Sequence, residues 1–183
     1  MLLGLLIAPS VRAAEDDLVR LMALLAERAH GHVSFVEEDY FAVLERPVHS
    51  SGELFYDRPG RLEKRTLAPH PASVILDHDT VTVAARGHTH VVALRDYPQV
   101  APLVESLRAT LAGDRPALEK IFQITFEGSL ERWTLTLVPL DAKLKGVAQR
   151  IRIDGMHDEL QTLNILLSDG DRSVMTIGAS MPP

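Results

Sequence analysis

Apolar residues recur along the chain with two periods, and the switches between them mark its elements. Leu18, Leu21, Met22 and Leu25 fall at i, i+3, i+4 and i+7, one stripe of a helix that Leu24 widens. Acidic residues precede this stripe and Gly31 is the expected stop. The period then shortens. Val33, Phe35 and Phe41 share one parity while Val36 and Tyr40 hold the other, a strand whose buried face is ambiguous. "SGELFYD" and "RLEKRTLA" flank Arg58-Pro59-Gly60, the chemistry of a hairpin turn. Pro69 and Pro71 end the second of these strands. "ASVILD", "TVTVAAR" and "THVVALR" continue as a meander.

Helical spacing returns in "YPQVAPLVESLRATLAG", where Val100, Leu103, Val104, Leu107 and Leu111 share a face and Gly113 follows the end. Asp114 and Pro116 open a further short helix. "QITFEG", "LERWTLTLVPL", "VAQRIRID", "ELQTLNILLSD" and "RSVMTIGA" resume the strands, with Trp133, Leu135 and Leu137 alternating with Thr134 and Thr136. Runs of strands separated by runs of helix predict an α+β fold with one long antiparallel sheet, not alternating βαβ units. No repeat or linker divides the chain.

Composition adds limits. The net charge of −6 has no basic stripe, which excludes a general nucleic-acid binder. The absence of cysteine excludes a disulfide framework and a lipid-modified cysteine. The first residues read differently: the apolar run before Pro9 is too short for the roughly 20 residues of a membrane span, and Ala13-Ala14 resembles a cleavage site. The expectation is a signal peptide over residues 1–13, export to the periplasm, and a mature domain over 14–183 with net charge −7.

Catalytic and metal patterns are weak. His88 and His90 would share a strand face and His30 and His32 straddle a glycine, but neither pair has the third or fourth ligand of a zinc site. Asp77-His78-Asp79 and Asp169-Gly170-Asp171 lack the remaining ligands of a calcium loop and read as hairpin turns. There is no G-x-S-x-G, G-x-G-x-x-G or P-loop. No catalytic residue, metal or cofactor is expected. What remains is apolar surface on a large sheet. Pattern alone leaves two arrangements open: a dry core, or a cavity beneath the helices lined by Met22, Leu25, Phe35, Trp133, Leu135, Ile165 and Met175.

The stretch from Ser50 to Gly87 resembles the signature region of LolA-type periplasmic lipoprotein carriers. It has a Gly52-to-Leu54 strand, an Arg58-Pro59 hairpin, a strand ending near Pro69, and two further strands around a tight turn. "RWTLTLVPLDAKL" is similar to the family's second-half strand ending in proline. The order and spacing of these motifs carry the resemblance over most of the chain. It implies a strongly curved, incomplete β-barrel of about 10–11 strands with helices forming a lid over an apolar cavity. Leu54, Tyr56 and Leu137 join the expected cavity wall. Arg58 matches the arginine that contacts the lid, and Leu18, Leu21, Leu103 and Leu107 are the expected gating residues beside it. The implied function is a monomeric carrier of lipoprotein or lipid acyl chains between an inner-membrane donor and an outer-membrane acceptor. A carrier of a lipid-linked or polyene-type acyl product, a lipid-sensing regulator and, further off, an acyl-substrate hydrolase are the alternatives.

Overall fold

The computed structural model describes residues 9–98 and 101–180. One helix, α1 (Pro9–Glu27), precedes six strands: β1 (His30–Tyr40), β2 (Val48–Asp57), β3 (Arg61–Ala68), β4 (Ala72–Asp77), β5 (Thr80–Ala85) and β6 (His88–Ala93). A 3-10 turn (Leu94–Asp96), α2 (Ala101–Leu111) and α3 (Arg115–Ile121) lead to β7 (Phe122–Ser129) and β8 (Arg132–Pro139). The short helix α4 (Ala142–Lys145), β9 (Ala148–Met156), β10 (Glu159–Leu167) and β11 (Arg172–Ser180) complete the order.

All eleven strands join one curved antiparallel sheet, ordered β6-β5-β4-β3-β2-β1-β11-β10-β9-β8-β7. The sheet is not closed into a barrel. Two meanders meet in its middle, where β1 pairs with both β2 and β11. The two strands that flank the helical connection, β6 and β7, are the two edges. The connection must therefore travel from one edge to the other. It crosses the concave face, carrying α2 and α3 with it.

Register resolves the faces. Gly31, Val33, Phe35, Glu37 and Asp39 of β1 stand opposite Tyr56, Leu54, Gly52, Ser50 and Val48 of β2. This parity continues through Leu62 and Lys64 on one side and Met175, Leu163, Ile153 and Leu135 on the other. Successive side chains of a strand point to opposite faces, so these residues share the concave one.

The helices cover that face unequally. Leu18, Leu21, Met22 and Leu25 of α1 are buried with Trp133, Leu135, Leu137, Ile151 and Ile153, and with Leu118 and Phe122, in a closed core over β7–β10. Leu24 faces outward, 37% exposed, so it does not widen the stripe as expected. Nor does Gly31 stop α1. The helix ends at Glu27, and Gly31 is a ladder residue opposite Tyr56. The proline at residue 9 is tolerated because a first-turn N–H has no intrahelical partner. Residues 9–13, expected in the signal peptide, belong to α1, and residues 1–8 lie outside the described residues, as does Val100. Asp114 caps α3 as expected, accepting from Ala117 N at 3.0 Å.

Trp133 is closely packed within the core. Its indole Nε1 donates to the His157 carbonyl at 2.8 Å, and its ring lies directly on Gly155. A Cβ at position 155 would stand 2.2 Å from the ring. Gly155→Ala should therefore lower stability by about 1–3 kcal/mol, the usual cost of overpacking. Urea unfolding followed by the single tryptophan measures it; an unchanged midpoint would mean that the ring can move aside.

Candidate functional site

The other half of the concave face holds a cavity of about 270 Å³. This lies near the lower end of small-molecule pockets, roughly 300–1,000 Å³. Its floor is the sheet: Val33 from β1, Leu54 and Tyr56 from β2, Leu62 and Lys64 from β3, Val74 and Leu76 from β4, with Leu163, Met175 and Ile177 from β10 and β11. Its roof is α2, through Val104, Leu107 and Leu111. Those three positions are i, i+3 and i+7, so one side of α2 faces the cavity. A different side is buried. Ser106, Ala109 and Thr110 are its most enclosed residues, and the two hydroxyls donate to carbonyls of the helix itself, Leu103 and Ser106. Small, internally bonded residues let α2 approach its neighbours closely without leaving unsatisfied groups.

Close approach continues at the end of α2. Gly113 has φ +66°, and a Cβ there would stand 2.0 Å from the Met22 carbonyl and 2.9 Å from Ala26 Cβ. A left-handed glycine after a helix terminus is the usual stop, and here it also seats α2 on α1. Both helices thus end together, with their last carbonyls lacking intrahelical partners.

Arg58 occupies that junction. It leads from β2 into the hairpin turn, with its backbone N–H donating to the Ala29 carbonyl at 2.9 Å. Its guanidinium donates from Nη1 to the Ala26 carbonyl and from Nη2 to the Ala112 carbonyl at 3.5 Å. One side chain of the β2–β3 hairpin turn thus caps the C-terminal ends of both α1 and the α2 region. A cation there also meets the negative ends of both helix dipoles. The group is exposed, so each contact is worth only some ~0.3–1 kcal/mol. Arg108 of α2 passes the hairpin tip, its Cδ 3.1 Å from where a Gly60 Cβ would stand, and pairs with Glu105. The junction is a weak fastening between hairpin and helices.

Beyond the cavity the same face becomes polar. Glu37, buried at 7% exposure, accepts from Lys64 Nζ, from Ser50 Oγ at 3.1 Å and from Ser173 Oγ at 3.0 Å. The Lys64 ammonium also lies 5.1 Å from the Phe35 ring centroid. Burial, and next to it the charge of Glu37, push the Asp39 carboxyl above its ordinary value; Ser173 and Lys64 pull it back. A second, wider depression between α1 and β7 mixes apolar residues with Glu15, Arg115, Glu119, Gln123 and Thr125 and is not lined for an apolar ligand.

The structure divides the residues expected in the cavity. Leu54, Tyr56 and Met175 line it. Met22, Leu25, Trp133, Leu135 and Leu137 sit in the closed core, and Ile165 packs against that core. Phe35 is buried over Gly52, beside the polar cluster. Among the expected gating residues, Arg58 bridges the helix ends and Leu107 roofs the cavity, whereas Leu18 and Leu21 are core and Leu103 packs on it. Sequence reasoning missed Leu62, Leu76, Leu163 and Ile177 on the floor and Val104 and Leu111 on the roof. The signal for the floor was cross-strand parity, since Leu62 stands opposite Tyr56 and Leu163 opposite Met175.

The histidine pairs serve other contacts. His30 Nδ1 lies 2.8 Å from Asp57, and the His32 ring stacks on Phe55 at 4.3 Å. His88 and His90 lie exposed on the edge strand. Asp77-His78-Asp79 and Asp169-Gly170-Asp171 form the expected hairpin turns. Among the described residues, no group of three or more histidine, aspartate or glutamate side chains is arranged to hold a metal, and no helix is long and apolar enough to cross a membrane.

Fold and site together define a class: an open antiparallel half-barrel with an apolar cavity roofed by a helix that the chain must carry across its mouth. The family model described as outer membrane lipoprotein carrier protein LolA-like matches residues 8–181. The chain belongs to that LolA-like family. Among solved structures it is similar to a chain of the Pseudomonas aeruginosa MucA/MucB complex, with TM-score 0.50 and 14% identity, covering 91% of this chain and 59% of that one. A LolA superfamily protein from Nitrosomonas europaea gives TM-score 0.47 and 9% identity, covering 93% and 94%. The Mycobacterium tuberculosis lipoprotein LppX gives 0.46 and 9%, covering 92% and 97%. No curated protein matches the sequence.

The polar cluster generates a pH dependence. Asp39 has a raised value in the folded chain, so its ionisation opposes folding increasingly as pH rises above 3.8 and to the full extent once the pH exceeds the raised value. Below the ordinary value of 3.8 it is neutral folded and unfolded alike. Asp39→Asn should therefore be more stable than the unsubstituted chain at pH 7, with the gain shrinking to nothing as pH falls through about 3.8. Denaturant midpoints of both proteins across pH 3–8 test this; a gain that grows on acidification would contradict it.

Proposed function

We propose that this protein is a periplasmic carrier: it takes acyl chains of a lipoprotein or lipid into the cavity beneath α2 and shuttles them from an inner-membrane donor to an outer-membrane acceptor. The observation that carries the reading is the apolar cavity roofed by α2 and fastened through Arg58. Membership of the LolA-like family supports it. The reading assigns no catalytic residue and no cofactor.

Energetics favour such a role. Burying one methylene yields about 0.8 kcal/mol, so a chain of about a dozen carbons offers on the order of 10 kcal/mol before association costs. A polar anchor is not required for binding. Release is the harder demand, and the roof supplies it. Val104, Leu107 and Leu111 cover the floor when the cavity is empty, so every ligand competes with α2 for the same apolar surface. The Arg58 contacts weight that competition toward the closed form.

Delipidated protein titrated with a fluorescent fatty acid should show saturable uptake. Leu107→Asp should weaken it by at least tenfold, because a carboxylate would stand on the roof of the cavity. Arg58→Ala should leave the fold intact and raise apparent affinity several-fold by loosening the closed empty state. Absence of saturable uptake in the unsubstituted chain, or indifference to Leu107→Asp, would refute the reading.

A further inference from the structure

One group on the cavity wall has no part in acyl-chain burial or in the fastening of the roof. Tyr56 is only 7% exposed, its ring lines the cavity, and its hydroxyl is buried without a hydrogen-bond partner among the described residues. Arg58, two residues along, is near enough to favour the ionised phenol, but no bond between them meets ordinary geometry. Burial outweighs that charge and raises the phenol above its ordinary value, so the hydroxyl stays protonated and remains a donor. Around it stand Leu54, Leu62, Leu76, Leu107 and Leu111, and the charged or polar residues that also border the cavity, Arg28, His30, Glu63, Lys64 and Glu159, each have a partner elsewhere. A buried donor in such surroundings costs free energy unless an acceptor is brought to it.

We infer that Tyr56 Oη is the donor for the carbonyl of an acyl ligand, so that the cavity selects ester- or amide-linked chains over plain hydrocarbon. This deepens the acyl-carrier reading and rests on it. The position fits the chemistry. Tyr56 stands opposite Leu62 and Gly31, one register step from the hairpin that holds the helix ends. A chain lying along Leu54, Leu62 and Met175 would leave its carbonyl at that end, beside the Arg58 junction. With the roof shut and the cavity empty, the hydroxyl is sealed off from water as well as from protein acceptors. Entry of a ligand that parts the roof gives it an acceptor. The same hydroxyl therefore discourages empty closure and rewards loading.

The experiment compares the protein with Tyr56→Phe, using displacement of 1-N-phenylnaphthylamine. The displacing ligands are methyl laurate and pentadecane, which have equal numbers of heavy atoms, delivered from cyclodextrin. In Tyr56→Phe the ratio of ester to hydrocarbon affinity should fall about fivefold, the scale of one ordinary hydrogen bond, while pentadecane binds as before. The melting temperature of the variant without ligand should rise, since a buried donor without a partner has been removed. An unchanged ratio, with both ligands still displacing the dye, would overturn the assignment of Tyr56 and leave the carrier reading standing. A lower melting temperature would also overturn it, because the hydroxyl would then be bonded in the closed protein. Failure of both ligands and the dye to bind the unsubstituted protein would overturn the inference and the carrier reading together.

Discussion

The pairing of β1 with β11 determines where the helices go and therefore where the cavity lies. It puts the first and last strands side by side in the middle of the sheet, so that the strands flanking the helical link become its two edges. The link cannot take a short route between β6 and β7. It must cross the concave face, and a helix is a compact way to span that distance with its backbone groups satisfied. The roof over the cavity is thus a consequence of strand order. A sheet of this size with one face uncovered would expose a large apolar surface, and the crossing helices remove much of it.

The two halves of the sheet then diverge through side-chain size. Over β7–β10, α1 supplies four large apolar residues and meets Trp133, Leu135 and Leu137, which fill the space. Over β2–β4, α2 turns three apolar residues toward the floor while its most buried positions are Ser106, Ala109 and Thr110. Small residues let α2 seat tightly on its neighbours but do not reach down to the sheet. The hollow persists where the covering helix packs through small side chains. Arg58 joins the halves, because its two acceptors are the carbonyl ends of one helix from each.

The elements were legible in the chain because their periods are clean. Alternation at Trp133-Leu135-Leu137 and the stripe at Leu18-Leu21-Met22-Leu25 both appear in the structure as buried faces. Membership of the cavity was not legible. Trp133 and Leu54 both point to the concave side, and which half of a sheet stays hollow depends on the covering helix, a long-range property that spacing does not encode. Size misled in the same way: large residues such as Trp133 were expected to line a hollow, yet large residues are what close one. Leu62 and Leu163 were recoverable from cross-strand parity with Tyr56 and Met175, although that requires a correct register. The place of Arg58 came from resemblance, since an arginine before Pro-Gly reads from spacing alone as an exposed turn residue.

On the proposed acyl-carrier role, the energetic consequence is that the empty and loaded states would be close in free energy. Three roof residues offer at most about 1.5–3 kcal/mol each when fully buried, so closure recovers several kcal/mol. An alkyl chain of a dozen carbons offers on the order of 10 kcal/mol, from which association and ordering costs must be subtracted. These quantities are of similar size. A roof with an α1-like stripe would shut so firmly that no ligand could open it. A roof of polar residues would leave nothing to compete with a bound chain, and release would depend on the acceptor alone. Val104, Leu107 and Leu111 lie between these extremes, and the exposed contacts of Arg58 add a small weight that a partner touching the hairpin would be able to remove. On the proposed shuttling role, loading and release would then require only modest differences between donor and acceptor, which is the condition for transfer without an energy source on the carrier itself.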